Sequence, residues 1–226
     1  MNKNKNLIIQ ETFNLAVKNH QEGKTVIAQD LYNQILKIDP SHSQSLSNIG
    51  VIFTNLKEHQ KAKDCFEKAI EIDPNFTDAH YNLGVIFKDL GENQKAKNCF
   101  EKVIEINPNH VDAHNNLGVI FKDLGENQKA KDCFEKVIEI NPNYLDAHNN
   151  LGNIFKELGE HQKAKECYEK AIEINPNHVD TYWNSHGLST DIDGALLILK
   201  KLYKIDSSHI KSKIMISALE GYKGDF

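Results

Sequence analysis

A step of 34 residues governs most of this chain, and it narrows the possible folds more than any other feature. DAHYNLGVIFKDLGENQKAKNCFEKVIEINPNH (78–110) is followed by DAHNNLGVIFKDLGENQKAKDCFEKVIEINPNY (112–144), with only Tyr81/Asn115, Asn98/Asp132 and His110/Tyr144 exchanged. All five prolines (Pro40, Pro74, Pro108, Pro142, Pro176) keep the step, as do Ala28, Ala62, Ala96, Ala130 and Ala164. Self-similarity at a period of this size marks stacked supersecondary units, because one unit cannot bury its own apolar face.

Within a unit the apolar positions follow helical spacing. Leu117, Phe121 and Leu124 lie at i, i+4 and i+7, one face of a first helix. Gly125 can take the left-handed conformation that ends that helix. Ala130, Phe134, Val137, Ile138 and Ile140 form a second stripe, which Asn141-Pro142-Asn143 stops. Each unit is therefore predicted to be an antiparallel helix pair, with Gly118 and Ala130 at the close approach of the two backbones.

These residues resemble the tetratricopeptide repeat family, a 34-residue helix–turn–helix with Leu-Gly, aromatic, Ala, aromatic and Pro at fixed offsets. Leu117, Gly118, Phe121, Ala130, Phe134 and Pro142 carry the pattern, and the neighbouring units carry it in register. Histidine (His80, His114, His148) stands where the family usually has tryptophan. The resemblance implies an all-α, right-handed α-α superhelix. The expected organisation is a tail over 1–8, then five units at 9–42, 43–76, 77–110, 111–144 and 145–178. A degenerate sixth follows at 179–209, with a first helix about one turn short, ended near Gly187 and followed by a cap at Ser189, Thr190 or Asp191. Residues 210–226 form a last helix, either a cap or the first helix of a truncated seventh unit; Gly224-Asp225-Phe226 fall where a second helix would begin.

Composition excludes several classes. The 226 residues carry a net charge of −5, and all 27 basic residues are lysine. The charges are interleaved with no basic stripe, so nucleic acid is not the expected partner. Leu7, Ile8 and Ile9 are the only apolar run near the N-terminus, too short for a signal sequence or a membrane span, and a cytoplasmic protein is expected. Cys65, Cys99, Cys133 and Cys167 fall one per period, which suits a repeated structural environment and not a disulfide framework or zinc site. Free thiols also favour a reducing compartment. There is no glycine-rich phosphate loop, no nucleophile elbow and no His-Glu-x-x-His, so no cofactor, metal or enzymatic activity is expected.

The candidate site is a row. In arrays that this chain resembles, first helices line a concave groove, and the residue before Leu-Gly points into it. Here that residue is Asn14, Asn48, Asn82, Asn116, Asn150 and Asn184. A carboxamide both donates and accepts, so a ladder of them can grip an extended backbone without reading its side chains. The row is similar to the asparagine ladder of the superhelix in O-linked N-acetylglucosamine transferase. Asparagine there can equally serve local helix packing. Asp78, Asp112, Asp146 and Asp180 are expected along one edge and Lys88, Lys122 and Lys156 along the other, with Tyr81, Asn115, Asn149 and Asn153 between. The expected function is a non-enzymatic scaffold for an extended peptide or protein segment. The alternative is a substrate-recruiting array at the front of a longer bacterial glycosyltransferase or methyltransferase.

Overall fold

The computed structural model describes residues 3–189 and 191–224. Helices follow one another in pairs, a first (A) and a second (B) helix per repeat: α1 (Lys3–Gln21) and α2 (Thr25–Ile38), α3 (Ser43–Asn55) and α4 (His59–Ile72), α5 (Thr77–Asp89) and α6 (Asn93–Ile106), α7 (Val111–Asp123) and α8 (Asn127–Ile140), α9 (Leu145–Glu157) and α10 (His161–Ile174), α11 (Val179–Ser185) and α12 (Ile192–Ile205), and lastly α13 (Ile210–Gly224). No strand occurs among the described residues. The fold class is all-α, built of helix–turn–helix repeats.

Local chemistry sets the boundaries. After each B helix, Asp39, Asp73, Asn107, Asn141, Asn175 and Asp206 accept the backbone N–H two residues on, closing the turn that ends the helix. Between A and B helices the chain needs a left-handed residue, and Gly125 supplies it with φ 74°. Lys57 fills the same role at φ 60°, a position where a side chain costs energy.

Two compact bodies divide the chain, one up to Ala113 and one from His114. In the first, Ile9, Ala16, Ala28, Tyr32, Ile35, Ile49 and Ile52 form a buried cluster, and α3 touches α5 as well as α4. In the second, Phe134, Ile154, Tyr168, Leu199 and Leu202 are fully buried, and each helix from α8 to α13 packs on the next. Close approach is built in by sequence: a Cβ on Gly118 would lie 2.8 Å from the Phe134 ring, and one on Gly84 would lie 2.9 Å from Phe100.

Two expectations need correction. The tail predicted over 1–8 is helical from Lys3, because Ile9 is buried and anchors a longer α1. In the sixth repeat α11 is an α-helix for only 7 residues where α3, α5, α7 and α9 have 13, a greater loss than one turn; a 3₁₀ turn at His186–Leu188 carries the chain on. Among the predicted caps, Asp191 serves α12, its carboxylate accepting the Gly194 N–H. Thr190, Asp225 and Phe226 lie outside the described residues.

Candidate functional site

The asparagine row sits on the A helices at half-buried depth, with Asn14 exposed at one end and Asn116 almost fully buried. The chain itself already uses much of its bonding capacity. Asn14 accepts from Gln10 at 3.0 Å. Asn48 is the polar neighbour of the Tyr32 hydroxyl, which is buried with no hydrogen bond of good geometry. Asn150 accepts from the Lys122 ammonium at 3.2 Å. Asn184 donates to the Asn149 carboxamide at 3.2 Å, and its backbone carbonyl accepts from Lys156 at 2.9 Å. Asn82 is half-buried.

The predicted lysine edge is thus a set of stitches. Lys122 and Lys156 each reach from one A helix to the asparagine of the next, 28 residues on, and Lys88 is half-buried at the same register. Asp78, Asp112 and Asp146 are exposed in the first turns of α5, α7 and α9, and Asp180 in that of α11, where a carboxylate favours the helix dipole. Tyr81 is half-buried, its ring centroid 5.0 Å from His110 and 5.8 Å from Phe100. Asn115 buries its carboxamide oxygen without a partner. Asn149 accepts from Thr181 and Asn184. Asn153 takes a different part, accepting from the buried Tyr168 hydroxyl at 2.7 Å.

His80 and His148 tie their repeats to the turn before them. His80 Nε2 lies 3.0 Å from the Pro74 carbonyl oxygen and His148 Nε2 lies 2.8 Å from that of Pro142. A carbonyl only accepts, so Nε2 carries the proton in both. A second histidine row escaped the sequence reading. His42, His110 and His209 cap α3, α7 and α13, each Nδ1 accepting a backbone N–H three residues on at 3.1–3.2 Å. Serine, threonine, aspartate and asparagine are the familiar cap signals, and histidine is not among them.

Among the described residues no group of three or more His, Cys, Asp or Glu side chains is arranged to hold a metal. The four cysteines are half-buried, and burial pushes the thiols of Cys99 and Cys167 up to about 11. That leaves little thiolate at neutral pH and no nucleophile.

The tetratricopeptide repeat family pattern matches residues 43–76, 77–110, 111–144 and 145–178 in succession. The chain belongs to the tetratricopeptide repeat family. No curated protein sequence matches it. Among solved structures, this tetratricopeptide chain is 26% identical to MamA over 71% of its length and 94% of that chain, with a TM-score of 0.65. It is 20% identical to YrrB, described as a tetratricopeptide protein with an unusual peptide-binding site, over 81% of this chain and 96% of that one, TM-score 0.70. PilF of Pseudomonas aeruginosa overlays 96% of the chain and 100% of its own at TM-score 0.83 with 18% identity, a likeness of fold alone. No described helix of the tetratricopeptide array is long and apolar enough to cross a membrane.

Proposed function

We propose that the chain is a non-enzymatic protein-interaction scaffold whose A-helix face holds an extended peptide or protein segment. The asparagine row carries this reading. It recurs at one register in every repeat, and the bonds Asn150 and Asn184 make inside the chain occupy only part of what a carboxamide offers. Donors and acceptors that remain can pair with a peptide group's C=O and N–H together. The lysines that would form a phosphate track are tied to the asparagines, which favours a protein partner over a nucleic acid. Half-buried thiols, one per repeat, suit the reducing cytoplasm.

Peptides selected from a random display library and titrated in a calorimeter test the reading. Ordering a flexible segment offsets much of the contact energy, so dissociation constants on the order of micromolar are expected. Changing Asn82, Asn116 and Asn150 together to alanine should weaken binding at least about tenfold if each lost amide pair is worth roughly 0.5 kcal/mol or more. Unchanged affinity in that triple variant rules the row out as the grip.

A further inference from the structure

In the regular repeats one aromatic ring of the A helix fills the space at the start of the B helix. Phe53, Phe87, Phe121 and Phe155 stand at this register, 34 residues apart, and the last three are buried. Each lies under a lysine of its own B helix: Lys61, Lys95, Lys129 and Lys163 sit 5.3–5.4 Å from the ring centroids. The preceding B helix adds a second cation in two repeats, with Lys63 at 5.7 Å from the Phe87 ring centroid and Lys131 at 5.6 Å from that of Phe155. The Phe87 and Phe155 rings thus each have two cations close by, a favourable arrangement.

The sixth repeat lacks that ring. The position 34 residues after Phe155 is Ser189, and the counterpart of the lysine from the ring's own B helix is Gly194, three residues out of step because the repeat is shortened. Lys165 occupies the register of Lys131. Its side chain is 60% exposed where that of Lys131 is 24%, and it pairs with Glu169 at 3.9 Å. Leu188 stands at the register of fully buried Ile154 yet is only half-buried. What remains is a cleft of about 750 Å³ between α10 and α12, into which Lys165, Tyr168, Tyr182, Leu188, Ser189 and Leu197 project. At the regular joint between α4 and α6 the corresponding groove measures about 420 Å³.

We propose that this cleft binds an aromatic side chain of a partner segment, received where each regular repeat places its own phenylalanine. The buried Tyr182 ring and Leu188 supply an apolar floor, and Leu197, 60% exposed, supplies one lip. Lys165 supplies the cation over the ring face. The two cations beside Phe87 or Phe155 become one here, so the visiting ring has an open edge from which its peptide can emerge. The site lies on the B-helix side and is separate from the asparagine row.

The probe is N-acetyl-4-fluorophenylalanine amide, titrated into the full chain and followed by its fluorine NMR signal, with N-acetyl-leucine amide as the aliphatic comparator. A single side chain should bind weakly, with a dissociation constant on the order of millimolar. On the unmodified protein, nuclear Overhauser contacts are expected from the probe ring to the Tyr182 ring and the Lys165 methylenes. Lys165→Ala should weaken binding about two- to fivefold. Ser189→Phe, which restores the ring in cis, should abolish it while circular dichroism stays unchanged. Absence of binding, contacts to other residues only, equal binding of the leucine amide, or full binding by a folded Ser189→Phe protein would each overturn the assignment.

Discussion

Tyr81 and His110 become Asn115 and Tyr144 in the next repeat, and the structure shows these two exchanges to be linked. The Tyr81 and His110 rings touch, as do Phe13 with His42 and Trp183 with His209. A large A-helix ring goes with a histidine cap; where the A-helix residue shrinks to Ser47 or Asn115, the cap position carries Phe76 or Tyr144, while Asn149 keeps a histidine, His178, whose Nδ1 lies 2.7 Å from the Thr181 hydroxyl instead. The third exchange is neutral for a plain reason. Asn98 and Asp132 each accept from a glutamine one turn back, Gln94 and Gln128, at 3.0 and 2.8 Å. The glycine that repeats two to five share, Gly50, Gly84, Gly118 and Gly152, is under a steric constraint instead. Gly118→Ala would push a methyl into the buried Phe134 ring and should cost about 1–3 kcal/mol in urea unfolding. A loss under about 0.3 kcal/mol would show that the helices can part without penalty.

At the scale of the element, the fifth repeat shows how an A and a B helix change together. Repeats three and four pair Val85 with Phe100 and Val119 with Phe134, and repeat five pairs Asn153 with Tyr168. The hydroxyl bonds the carboxamide, while burial pushes the phenol's pKa up. Asn153→Val should therefore destabilise by about 1–3 kcal/mol, since it strands a buried hydroxyl. Adding Tyr168→Phe should recover most of that loss, and additive single effects in the double-mutant cycle would refute the pairing. Asn153 was placed on the groove face from its register alone. Helical spacing gives a direction around the axis, but it does not say that a tyrosine hydroxyl waits on the neighbouring helix.

For the whole molecule, the His42 cap makes stability depend on pH. A cap works only while Nδ1 is free of a proton. Burial holds the His42 pKa below its ordinary value, against the opposing pull of Asp39. A depressed histidine pKa favours the neutral form in the fold. Its contribution is complete above about pH 6.5, the unfolded value, and is lost as pH falls through the folded one. The melting temperature should drop as pH is lowered from 6.5 towards 5, and His42→Asn, which caps without titrating, should reduce that drop. An identical pH profile in the variant would sink the cap as its source.

The repeat pattern was legible in sequence because identical units demand identical surroundings. The period, the helix pairs and the breaks at proline follow from spacing, since each apolar stripe needs a neighbour to cover it. Tertiary structure decided what spacing cannot hold. It decided which polar side chains of a row bond their own chain, as Lys122 with Asn150 and Tyr168 with Asn153 do. It also decided how a three-residue shortening is absorbed: α11 stops early, the ring at Ser189 is missing, and Lys165 is left facing an open cleft. Sequence period fixes which residues share an environment, but hydrogen bonds and voids depend on distances between helices, and those exist only once the helices are packed.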